Sequence, residues 1–134
     1  MEIIEFTGTY EYDTRLVGIT VPVFLFNGTK NAEFKAKIDT GSSFCIFERK
    51  HGERIGVEIE SGEEIRISTA TGYFTAYGHN LALIVLDIET ISTVYFAKEE
   101  SFTRNVLGRQ GWLDRVKLGL IDYEGKLLLS AYGG

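Results

Sequence analysis

Residues Phe34-Lys35-Ala36-Lys37-Ile38 alternate apolar and polar, break at Asp39-Thr40-Gly41-Ser42-Ser43, and give way to the apolar run Phe44-Cys45-Ile46-Phe47. A period of two places alternate side chains on opposite faces, so the first run reads as a half-buried strand. The second run is short and wholly apolar, as befits a strand inside the same core. Asp, Thr and Gly are ordinary turn residues, and a reversal of the chain explains them without any further role. A turn this polar between two buried strands nevertheless leaves a carboxylate at the end of a sheet.

The remainder of the chain reads in the same way. One proline and fifteen glycines accompany nine Phe and seven Tyr, with many Ile, Val and Thr, a composition that favours strands. Residues 2–12 are expected to be extended, and residues 16–26 form another strand in which Pro22 demotes part to an edge or bulge. Asn27-Gly28-Thr29 is a hairpin turn that returns the chain into residues 32–38. Residues 48–54 predict one or two helical turns, against which Gly52 counts. Residues 64–70 alternate, Thr71-Gly72 turns, and residues 73–77 come back as a second hairpin with a small, polar tip. Residues 81–86 are nearly continuously apolar and predict a buried strand with residues 91–96 as its neighbour. Trp112, Leu113 and Val116 have the spacing of one helical face and predict a short helix. Residues 117–121, a turn through 122–125 and a strand over 126–130 close the chain.

Length and charge set the outer bounds. A chain of 134 residues is expected to be one domain, large enough to bury a core without disulfides or metals. The net charge of −5 and the lack of any Lys/Arg block argue against nucleic acid as a partner. The longest apolar candidate, residues 19–26, is far too short for a membrane-spanning helix. Residues 1–5 lack the basic and apolar regions of a secretory signal, and the single cysteine rules out an internal disulfide; both fit a cytoplasmic protein. Cys45 with His51 or His79 suggests a nucleophile and base only weakly, since Cys45 sits in an apolar run that buries it. His51 is expected on a solvated helix or loop and His79 at a turn or sheet edge, without the spacing of metal ligands. Glu63-Glu64 and Lys98-Glu99-Glu100 read as solvated surface.

Taken in order, the landmarks are a strand, the turn Ile38-Asp39-Thr40-Gly41-Ser42, a hairpin near mid-chain, the motif Val106-Leu107-Gly108-Arg109, a short helix and a terminal strand. From the strand before Asp39 to its end, the chain resembles the retropepsin-like aspartic proteases, the family of retroviral proteases and their cellular and bacterial relatives. The resemblance implies an all-β fold, a single closed or partly open β-barrel with one short C-terminal helix. It makes Asp39 the catalytic carboxylate and gives Thr40 a hydroxyl that locks its loop to the counterpart loop across a dimer. Gly41 would admit the substrate backbone, and Ser42 would donate to the Asp39 carboxylate. Ala70, Thr71, Gly72 and Tyr73 would form a flap over the substrate. Val106, Leu107 and Gly108 would support the active-site loop from below, with Leu107 near a substrate pocket.

Some positions depart from the family. Ser43 stands where many retroviral members carry an acidic partner for the arginine of the Gly-Arg motif, which leaves Arg109 to Asp114 or to backbone carbonyls. The flap carries only Gly72 at its tip, and Asp-Thr-Gly-Ser-Ser is more familiar from bilobal pepsin-like enzymes more than twice this length.

Aspartic proteolysis needs two carboxyl groups sharing a proton, one acting as general base on water and the other as acid toward the scissile carbonyl. This chain has a single Asp-Thr-Gly, so the resemblance implies a homodimer that presents Asp39 twice. No metal or cofactor is called for. The expected substrate is an extended peptide or protein segment with hydrophobic residues at the cut, and the expected activity is biased to mildly acidic pH. The alternative is a retropepsin-fold dimerisation or protein-interaction module without useful catalysis.

Overall fold

The computed structural model describes residues 1–133. Alternation becomes strand pairing first in β2 (Thr20–Asn27) and β3 (Lys30–Ile38), which run antiparallel from Thr20↔Lys37 to Asn27↔Lys30. Val21, Val23 and Leu25 of β2 and Ala32, Phe34 and Ala36 of β3 are buried, so both strands turn one face to the core. Each apolar side chain of Val or Leu size removed from water contributes roughly 1.5–3 kcal/mol. Gly28 makes the turn with φ of 63°, and Asn27 Nδ2 donates to the Ile55 carbonyl at 2.9 Å, tying the hairpin to the helix that follows.

That helix, α1 (Arg49–Arg54), comes directly after β4 (Ile46–Phe47). Gly52 inside it is a packing requirement: a Cβ there would stand 2.6 Å from Ile59 Cδ1 and 3.0 Å from the Phe96 ring. Beyond it come β5 (Glu63–Thr69), β6 (Gly72–Val85) and β7 (Ile88–Ala97). The long β6 pairs with β5 through its first half, with β7 from Ala76 onward, and with β2 through Phe24↔Ile84 to Phe26↔Ala82. The β2–β6 pairing closes the larger sheet on itself as a ring of strands β2, β3, β8 (Val106–Leu107), β4, β7 and β6, with β5 appended at the edge. Pro22 lies opposite Lys35 in the part of β2 that has a neighbour on one side only, where a missing N–H costs no ladder bond. The all-β class expected from the sequence is thus what forms.

A smaller sheet orders β1 (Gly8–Glu11), β10 (Lys126–Ala131) and β9 (Val116–Ile121), with β10 in the middle. The helix expected around Trp112 does not form. Residues Leu113–Arg115 make a single 3₁₀ turn instead. Gly111 enters with φ of 99° and Trp112 has φ of −139°, both far from helical values, while Val116 already opens β9. Leu113 N and Asp114 N reach back to the carbonyls of Gly108 and Arg109 at 3.1 and 2.9 Å, a wider turn than an α-helix makes. Trp112 is fully buried among Leu25, Phe47, Leu83, Phe96 and Leu107 in the central core. Among the described residues no helix is long and apolar enough to cross a membrane.

Candidate active site

β8 is only two residues long, yet it pairs with both strands that flank the Asp39 turn. It runs parallel to β3 through Lys37↔Val106 and Ile38↔Leu107, and antiparallel to β4 through Ile46↔Val106. The connection from β3 to β4 therefore has to pass over the end of β8, and it does so as the loop of residues 39–45. Backbone hydrogen bonds fix it there: Asp39 N to the Leu107 carbonyl at 3.0 Å, Arg109 N to that of Ser42 at 2.9 Å, and Gln110 N to that of Ser43 at 2.9 Å. Gly108 lies beneath this crossing. A Cβ at that position would stand 2.6 Å from the Phe44 carbonyl carbon and 2.8 Å from the Ser42 carbonyl oxygen, so no side chain fits.

Within the loop, Gly41 N donates to Asp39 Oδ1 at 2.9 Å and Ser42 N donates to the Asp39 carbonyl at 3.1 Å. The carboxylate is thereby aimed by its own turn. Among the described residues Oδ2 receives no hydrogen bond, and Asp39 is half-buried while Thr40 and Gly41 are exposed. One carboxylate oxygen is held and the other is free to act.

Asp39 opens onto a cleft of about 350 Å³. Gly41, Ser42, Ser43, Ile46 and Val106 line it from the loop side, and Arg66, Ile67, Ser68, Thr69 and Phe74 line it from the β5–β6 hairpin. Phe102 and Arg104, from the segment leading into β8, complete the wall. The hairpin expected to cover the carboxylate is thus brought to it, through its flanks rather than its tip. Ala70, Thr71, Gly72 and Tyr73 are all exposed at the reversal, Thr69↔Gly72 being the last pair and Gly72 adopting φ of 145°.

Two expectations change. Ser42 Oγ donates to the Phe44 carbonyl at 2.8 Å, so its hydroxyl stiffens the loop and does not serve the Asp39 carboxylate. Leu107 is fully buried in the core and does not line the cleft, whereas the preceding residue, Val106, does. Alternation along β8 makes the difference, since neighbouring residues of a strand face opposite sides.

Arg109 is exposed and makes no ion pair among the described residues. Asp114, one candidate partner, instead accepts from Gly111 N at 3.0 Å and lies 3.5 Å from Arg115 Nε. The Arg109 backbone takes the structural part through its bond to Ser42. Cys45 is fully buried, and desolvation pushes its thiol up to about 11, which makes it a structural residue and a poor nucleophile at neutral pH. His51 is not solvated as expected: its ring stacks on Phe34 at 4.0 Å and its Nε2 lies 3.2 Å from Glu48 Oε2. Burial pulls the imidazole below its ordinary value, opposed by Glu48. Glu48 also accepts from Asn105 Nδ2 at 2.7 Å, and Asn105 Oδ1 accepts from Glu48 N at 2.9 Å, so this polar group anchors the approach to β8. His79 lies within β6 opposite Val94, its Nε2 2.9 Å from the Ile59 carbonyl.

Sequence reasoning passed over Arg66, Phe74, Phe102 and Arg104. The period-two pattern alternates the faces of β5, yet only the tertiary fold decides that this strand borders the cleft of Asp39. No protein-family model matches the chain, and no curated protein does either.

Proposed function

We propose that the chain is a retropepsin-type aspartic endopeptidase acting as a homodimer, in which Asp39 of each copy supplies half of a catalytic dyad. The observation that carries this reading is the Asp39-Thr40-Gly41 turn, locked over β8 with one carboxylate oxygen unengaged at the mouth of a hairpin-covered cleft. One carboxylate alone cannot supply both base and acid, and a two-fold axis beside the exposed Thr40 and Gly41 would bring its equivalent to roughly 3 Å. One carboxyl then takes a proton from water as the other donates to the carbonyl oxygen of the scissile bond. The tetrahedral intermediate collapses with proton transfer to the leaving amine.

Two further features support the reading. β5 has β6 on one side only, so an extended peptide can add along its free edge through backbone hydrogen bonds. Ile3, Ile4 and Tyr132 are exposed and line one surface depression with Glu2, Glu5 and Lys117, apolar area that a second copy can cover.

The test is subunit mixing. Asp39→Asn protein alone should not cleave casein or a peptide library. Equal amounts of wild-type and Asp39→Asn chains, unfolded and refolded together, should give about one quarter of the wild-type activity per total chain, because only dimers with two intact carboxyls are competent. Retention of one half would mean that each chain works alone, and full cleavage by the Asp39→Asn protein would remove Asp39 from the chemistry. A strict monomer without cleavage would favour an interaction module instead.

A further inference from the structure

Among the described residues Asp39 is the sole acidic one lining its cleft, and two arginines, Arg66 and Arg104, border it. This is a local excess of positive charge on a chain whose formal net charge is −5. Ion pairs occupy Arg15, Arg49 and Arg115 elsewhere, but neither Arg66 nor Arg104 has an ion pair or a side-chain hydrogen bond among the described residues. Glu64, two positions before Arg66 on β5, and Glu99 and Glu100, on the segment that leads to Arg104, form no ion pair with either.

Both side chains are exposed, and each guanidinium rests against an aromatic ring. Arg66 Cζ lies 4.5 Å from the centroid of the Tyr73 ring, across the hairpin, and Arg104 Cζ lies 5.3 Å from that of Phe102. Stacking engages the face of a guanidinium and leaves its edge N–H donors outward, in the fork that matches a carboxylate. Phe74, which alternates with Tyr73 along β6, packs its ring 4.9 Å from that of Phe102 and gives the cleft an apolar surface. Cations on the walls of a cleft focus potential into it, and exclusion of water by a bound peptide strengthens their pull.

We infer that Arg66 and Arg104 are specificity-determining residues that select extended peptides carrying an Asp or Glu side chain next to an apolar one. This deepens the proteolytic reading and rests on it for the word substrate. Binding alone tests the arginines.

The probe is a pair of short synthetic peptides with a central Phe-Leu, identical but for Glu or Gln, with the varied position moved stepwise on either side of the pair. Cleavage is followed with wild-type protein, and binding to the Asp39→Asn protein by fluorescence anisotropy at low and high salt. At the best position the Glu peptide should be favoured about tenfold at low salt, with the preference shrinking as salt screens it. Arg66→Gln or Arg104→Gln should reduce that preference through KM more than through kcat, with an unchanged thermal melt reporting that the variant is folded. Equal binding of Glu and Gln peptides at every position, or variants that lose both equally, would overturn the inference. So would a clear preference for a phosphoserine peptide over the Glu peptide. Asp39-dependent cleavage without a Glu preference sinks this inference and leaves the protease standing. Arginine-dependent Glu preference without any cleavage does the reverse.

Discussion

Gly108→Ala is the most direct perturbation of the loop that carries Asp39. The added methyl would stand 2.6 Å from the Phe44 carbonyl carbon and 2.8 Å from the Ser42 carbonyl oxygen, below the 3.0 Å that real Cβ contacts respect. Both obstacles are backbone atoms, so no side-chain rotation relieves the clash and the 39–45 loop has to lift from β8. Overpacking of this kind costs about 1–3 kcal/mol. Lifting the loop also strains the bonds from Arg109 N to Ser42 and Gln110 N to Ser43, each worth about 1 kcal/mol net. The expected loss is about 2–5 kcal/mol, or a fall in Tm of about 4 °C per kcal/mol for a chain of this length. Urea denaturation at fixed protein concentration measures it, with Gly8→Ala as comparator. The nearest atom to a Cβ at Gly8 is the Leu129 carbonyl oxygen at an ordinary 3.7 Å, so that change should be close to neutral. A Gly108→Ala loss below about 1 kcal/mol would refute the claim that the crossing depends on a missing side chain.

Other outcomes follow from the same geometry. Leu107→Ala should cost about 2–5 kcal/mol as a core cavity, whereas Val106→Ala, also buried but bordering the cleft, should cost less and alter peptide selectivity; equal denaturation midpoints for the two would contradict their opposite orientations. Burial lowers the pKa of His51, between Phe34, Glu48, Lys50 and Arg54, so the unfolded chain binds its proton first. Stability is therefore retained above about 6.5 and declines as pH falls from there toward the lower folded-state value, and His51→Gln should flatten that slope in a series of melts against pH. Any acid-biased proteolysis has to operate against this decline. Cys45, held near 11 by desolvation, should resist iodoacetamide at pH about 8 in the native protein and react at once in denaturant; rapid native labelling would show an open core.

The strands were legible because burial on one face imposes a period of two, and the first two hairpin reversals were legible because glycine marks the backbone conformations that tight turns use; the second sits one residue before its expected place, at Ala70-Thr71, with Gly72 already paired to Thr69. The turn at Leu86-Asp87 carried no such mark. Both residues adopt positive φ, 49° and 68°, a conformation Asp tolerates and Leu rarely takes, held by the long β6–β7 ladder on either side. The spacing of Trp112, Leu113 and Val116 suggested a helix because a buried anchor followed by an early strand residue mimics one turn of periodicity. The glycine geometry at 111 overrides it. At the candidate site, local sequence displayed Asp39 and its turn, and the order of motifs suggested the β8 support and the hairpin cover. It misjudged Ser42 and Leu107, whose directions depend on which carbonyl lies nearest and which face of a two-residue strand is inward. It passed over Arg66 and Arg104, whose place on the walls of the Asp39 cleft is purely tertiary.

The brevity of β8 also dictates when the Asp39 loop can exist. The β2–β3 hairpin and the β5–β6–β7 meander are local and can zip up as they emerge from synthesis, but Asp39 N waits for a carbonyl that lies about half the chain's length downstream. A nascent or truncated polypeptide lacking residues 106–108 would possess most of the sheet, with the Asp39 turn closed on itself by Gly41 N but anchored to no strand beneath it. Assembly order itself thus delays the anchoring of the turn until the two-residue strand that holds it has been made.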